Sequence, residues 1–177
     1  MADSKIDLKL YLLFIPVAYV SYLFHEFGHW IVGELLGNDM AYSLNFVWTK
    51  SGQYIDASHD LYVSIGGPVF TILQSIIFLL LLAKHKIIYL YPFLFFPMFM
   101  RFFSLVFGGF SIQDEARISV ILNIGAYTFA LGVLLILFMV VFRASRILRI
   151  DLKTNGYFVT MSTLSQLLVI GTYKTFS

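Results

Sequence analysis

The sequence predicts an all-α polytopic membrane protein with about five transmembrane helices and a small interfacial β-hairpin between the first two. Hydrophobic residues make up 59% of the 177-residue chain and charged residues 12%, against about 45–50% and 25% in soluble domains. The apolar residues fall into long runs, with the basic residues at the ends of those runs. Between the first two runs lies a short alternating stretch rich in aromatic residues. The length suits one membrane-embedded domain over 1–177, with its core at roughly 10–124.

A membrane-crossing helix needs about 20 apolar residues. The first span is expected from Leu10 to Leu36, the second from Leu61 to Ala83 and the third from Ile87 to Phe107. A fourth is expected from Ile118 to Phe142, and a weaker fifth from Gly156 to Tyr173. The fifth carries Thr160, Ser162, Thr163, Ser165 and Gln166, so it is expected to pack against protein rather than lipid alone. The N-terminus shows no signal-peptide cleavage pattern, so the first run is expected to be retained. The third span ends toward Gly108-Gly109, and Arg101 inside it needs a partner, a cavity or a route to the interface.

From Tyr42 to Thr49, apolar and polar residues alternate, and Lys50-Ser51-Gly52 follows. With Gln53-Tyr54-Ile55 beyond it, alternation around that Gly-containing turn suggests a β-hairpin within Met40 to Ala57, or an interfacial loop anchored by its Trp and Tyr. Gly66-Gly67-Pro68 in the second span predicts a kink or an irregular start to the helix, because proline lacks a backbone donor. Thr71 and Gln74 follow on one face, where they could hydrogen-bond a substrate or simply serve helix packing.

The chemistry concentrates at His25-Glu26-Phe27-Gly28-His29. Residues i and i+4 share a helix face, so both imidazoles can take corners of one tetrahedral zinc. Glu26 falls about 100° round from His25, close enough to act as base on a zinc-polarised water. With four histidines and three glutamates in the chain, this H-E-x-x-H pattern arises by chance in roughly one or two chains per thousand. A catalytic zinc wants three protein ligands and an open position. Glu34 is about 140° off the ligand face, which leaves Asp114 or Glu115 at the mouth of a later span. Arg117 could pair with Asp114 or support it from behind.

The absence of cysteine excludes disulfides, iron–sulfur clusters, thiolate zinc sites and a cysteine nucleophile. The net charge of +2 is too small to imply a nucleic-acid partner. The expected surroundings are instead the lipid bilayer.

Taken in order, these motifs resemble those of the site-2 proteases, intramembrane zinc metalloproteases. His25-Glu26-Phe27-Gly28-His29 has that family's His-Glu-x-Gly-His form, and Gly67-Pro68 resembles its Gly-Pro-x-x-Asn element, with Thr71 at the asparagine. Asp114-Glu115-Ala116-Arg117-Ile118 resembles Asp-Gly-Gly-Arg-Ile, with Glu115-Ala116 replacing the paired glycines. The resemblance covers roughly Leu10 to Ile124. It implies a multi-pass protein of the cell membrane with a transmembrane protein or peptide as partner and one Zn2+ per chain, held by His25, His29 and Asp114. Glu26 is then the catalytic base, and Thr71 or Gln74 meets the substrate or oxyanion. Glu115 and Arg117 stand behind the ligands.

Two alternatives use the same residues: a non-catalytic scaffold that keeps the fold and binds zinc, and a transporter with an intramembrane His/Glu/Asp ion path. Retention of Glu26 speaks against the first, and the lack of an inverted repeat speaks against the second. Lys5, Lys9, Lys84, Lys86, Arg143, Arg146, Arg149 and Lys153 fall on one side, and Lys50, Arg117 and Lys174 on the other. Charge counting therefore puts the N-terminus in the cytoplasm and the metal site toward the opposite face. The resemblance implies a site toward the cytoplasm.

Overall fold

The computed structural model describes residues 7–107 and 113–176. Helix α1 spans Leu8–Leu35, followed by strands β1 (Met40–Tyr42) and β2 (Val47–Thr49) and helix α2 (His59–His85). A single 3-10 turn, Ile88–Leu90, leads into α3 (Pro92–Phe107). Helices α4 (Asp114–Leu122), α5 (Thr128–Leu148) and α6 (Leu152–Phe176) complete the bundle. Among the described residues, four segments are long and apolar enough to cross a membrane: α1, α2, the stretch Ile88–Phe107 that ends in α3, and α5. Large apolar side chains such as Leu80, Leu135 and Phe138 remain exposed on them, as a lipid-facing surface requires.

Asp7 caps α1 by accepting a bond from the Leu10 amide at 2.9 Å, satisfying one of the free donors of the first turn. At the other end, Gly37 N–H donates to Glu34 O and Asn38 N–H to Gly33 O, the closure that satisfies the last carbonyls of a helix. The Asn38 side chain then donates to Gly33 O and accepts from Ile55 N–H, so the hairpin loop is strapped to the end of α1. Helix α2 runs without a break through Pro68. The irregular start expected at Gly66-Gly67-Pro68 is absent, and the helix begins earlier, at His59.

The hairpin forms, but with a different turn from the expected one. β1 and β2 are antiparallel, with Met40 opposite Thr49 and Tyr42 opposite Val47. The chain reverses at Ser43–Phe46, where Ser43 N–H donates to Phe46 O at 2.7 Å. The alternating stretch therefore folds on itself rather than forming one strand up to Lys50. Its base is closed by Lys50 N–H to Asp39 O and by the Lys50–Asp39 ion pair at 2.7 Å. Glu34, discounted as a metal ligand, accepts from the Met40 amide.

The expected fourth span, Ile118–Phe142, is divided. Helix α4 ends at Leu122, where Asn123 takes a left-handed conformation at φ 54°, and the membrane-length helix starts at Thr128. An asparagine tolerates that backbone better than most residues. Helix α6 has the length to cross but is less apolar, and it falls outside the four. As expected, it lies against protein: Phe158, Ser162, Ser165, Gln166 and Val169 are buried where it packs on α1 and α3. The core at that end is aromatic, with Phe14, Phe95 and Phe158 in mutual contact. The glycine pair expected to close the third span, Gly108-Gly109, lies outside the described residues.

Candidate metal centre

The site begins with a close approach of two helix backbones. A Cβ added at Gly28 would lie 2.5 Å from the Gly66 carbonyl oxygen, well inside contact distance. One added at Gly67 would strike the rings of His25 and His29. Glycine at these positions lets α2 back directly onto the two imidazoles, which α1 places one turn apart on its inner face.

Both rings are held by their outer nitrogens. His29 Nδ1 lies 2.6 Å from the Val63 carbonyl oxygen. A carbonyl only accepts, so the proton is on Nδ1; the Gly67 amide, 3.3 Å from the same nitrogen, is a secondary contact. His25 Nδ1 lies 2.9 Å from Thr71 Oγ1, and that hydroxyl donates to Gly67 O at 3.1 Å. Having spent its proton there, Thr71 accepts from His25. Each imidazole therefore presents an Nε2 lone pair inward. Such orientation of a histidine through its other nitrogen is a regular feature of metal sites.

Asp114, at the start of α4, brings the third donor. Its Oδ2 lies 3.2 Å from His25 Nε2 and 3.2 Å from His29 Nε2, and the two Nε2 atoms are 3.2 Å apart. Donors ~2.0–2.1 Å from a tetrahedral zinc stand ~3.3–3.4 Å from one another, so this triangle fits one face of such a tetrahedron. Three electron-pair donors converge on one point, and a single proton can bridge only two of them. A divalent cation satisfies all three. Among the described residues, this is the one cluster of three histidine or acidic side chains gathered within ligating range.

Beside the triangle is a cavity of about 620 Å3 whose walls include Glu26, Tyr54, Arg101 and Arg117, with Asn45 and Phe46 from the hairpin turn. Glu26 is buried, and its carboxylate makes no hydrogen bond or ion pair among the described residues, so it is free to work on what enters. Burial and then the charge of Asp60 push the Tyr54 hydroxyl above its ordinary range.

The remaining expected site residues are placed differently from one another. Thr71 and Gln74 are buried away from the cavity wall: Thr71 orients His25, and Gln74 donates to Ser21 Oγ and Phe93 O. Neither side chain has a polar group left over for a substrate carbonyl in this arrangement, because the alternation of helices puts that face of α2 against α1 and α3. Arg117 pairs with Asp60 at 3.6 Å rather than with Asp114, and it reaches Ser64 Oγ at 3.5 Å. Glu115 turns away from the metal site to Arg101, at 3.1 Å, which answers what partners that buried arginine.

Sequence reasoning missed Val63 and Tyr22. Val63 acts through its carbonyl, which leaves no trace in residue type. Tyr22, which lines the cavity, was legible: with His25, Glu26 and His29 it forms a single stripe at helical spacing. Compared with known proteins, the chain matches no family profile, curated protein or solved structure.

Proposed function

We propose that the protein is an intramembrane zinc metalloprotease of the site-2 protease type, hydrolysing peptide bonds in or near transmembrane segments of membrane proteins. The observation that carries this reading is the 3.2 Å triangle of His25, His29 and Asp114, with an uncommitted glutamate beside it facing a cavity. A purely structural zinc site closes its fourth position with protein and has no use for Glu26.

His25, His29 and Asp114 would hold one zinc ion per chain. When bound, zinc supplies a Lewis acid that lowers the pKa of water toward neutrality. Glu26 takes the proton of the attacking water and returns it to the leaving amine. Thr71 and the Val63 carbonyl fix the two imidazoles so that their lone pairs stay aimed at the ion. A helical substrate has its carbonyls engaged in hydrogen bonds, so the scissile segment must unwind before it is attacked. The hairpin turn at the cavity wall is suited to receive it extended. In this reading α6 is a fifth crossing of the cell membrane, shielded by α1 and α3.

The test is cleavage of a panel of tagged transmembrane substrates by the purified protein in detergent or liposomes. Glu26→Gln is expected to keep one zinc per chain and to lose at least ~100-fold in cleavage rate, as loss of a general base does. Cleavage by the variant equal to wild type would overturn the assignment of the base. Zinc in both proteins with cleavage by neither, across the panel, favours a non-catalytic zinc-binding scaffold.

A further inference from the structure

Two adjacent acids stand at the start of α4, and only one of them reaches the imidazoles. Consecutive residues on a helix point about 100° apart. Asp114 faces His25 and His29, while Glu115 faces α3 and meets Arg101, with 3.1 Å between Nη1 and Oε1. Both partners are more than nine-tenths buried. Arg101 lies within an apolar helix and is also among the residues that line the cavity. A turn of α4 about its own axis by one residue would exchange the two acids, and the longer glutamate would then compete for the ion.

We propose that the buried Arg101–Glu115 ion pair is a positioning device that sets the rotation of α4, so that Asp114 and not its neighbour completes the metal site. A buried pair is a weak source of stability compared with well-packed apolar residues, and its best-attested use is to fix register. Here the register has a chemical consequence, because the adjacent residue is a ligand. The pair also removes Glu115 from competition by engaging its charge. Helix α4 has only nine residues, and of the two ion pairs that hold its first turn the Arg101–Glu115 pair is the buried one, Arg117–Asp60 being partly exposed. The inference rests on the zinc reading above, and its test separates the two.

Zinc affinity is measured by chelator competition on the purified full-length protein, alongside the thermal stability of the metal-free form. In Arg101→Met/Glu115→Met, apolar side chains of similar volume replace both charges. The metal-free variant is expected to melt near wild type while zinc affinity falls ~10- to 100-fold, the usual cost of losing support behind a ligand. The charge swap Arg101→Glu/Glu115→Arg is expected to recover most of that loss, which a role in packing alone would not produce. Unchanged zinc affinity in the folded methionine variant overturns the proposal. Should that variant not fold, the swap decides: affinity within about threefold of wild type supports the pair, and a folded swap weakened more than tenfold overturns it. A wild-type protein that takes up no zinc refutes the metal site itself, a result distinct from either.

Discussion

Thr71 and Val63 determine which nitrogen each histidine offers, and so leave both Nε2 lone pairs aimed into the triangle. Replacing Thr71 by valine keeps the shape and removes the acceptor for His25 Nδ1–H. The expected result is a ~10- to 100-fold loss of zinc affinity in chelator competition, with KM for a cleaved peptide unchanged at saturating zinc. A raised KM with intact zinc affinity would instead make Thr71 a substrate contact. At this scale the sequence was legible where chemistry is local. His25, Glu26 and His29 declare themselves by spacing alone, whereas the need for a third ligand left Asp114 and Glu115 both open and only the family resemblance favoured Asp114. Thr71 and Gln74 were not legible, because their roles depend on which helix lies opposite, and on α2 the candidate faces are both buried.

The α1–α2 contact is the element on which the site is built. Gly67→Ala would push a methyl group into both imidazoles. The expected outcome is loss of bound zinc by metal analysis, with helical content by circular dichroism retained. Gly28→Ala, pressed against the Gly66 backbone, is expected to destabilise the fold by about 1–3 kcal/mol, the usual cost of overpacking, read as a lowered melting temperature. Helix positions were largely legible, since a run of apolar residues is all that α1, α2 and α3 require. The break between α4 and α5 was not, because hydropathy is blind to backbone conformation. Asn123 and Gly125, which both adopt positive φ, were the available signal. The hairpin register was misread for a related reason: a period-two pattern shows extended chain, but not where four of its residues turn back.

For the molecule as a whole, charge is distributed unevenly between its two ends. The Tyr89–Asp7 and Tyr91–Asn155 hydrogen bonds join the start of α1, the link into α3 and the start of α6. Lys84, Lys86, Arg146, Arg149 and Lys153 lie in or beside these links. At the hairpin end, Lys50 and Arg117 are paired with acids. The excess of basic residues is expected to hold the first end in the cytoplasm, with the metal cavity opening toward the other face. The chain has no cysteine, so single introduced thiols report cleanly. In intact cells, an impermeant maleimide is expected to label Ser51→Cys and spare Lys86→Cys; the reverse pattern would turn the protein over. One ion shared between distant parts of the chain would tie the protein's stability to its metal supply. His25 and Asp114 are 89 positions apart, so zinc bound as proposed would rivet the first helix to the fourth and contribute directly to folding. At free zinc a hundredfold above Kd, that linkage amounts to about 2.7 kcal/mol. In a cell starved of zinc, newly made chains would lose that rivet and become easier prey for quality-control proteases, so the abundance of the protein would itself track the metal.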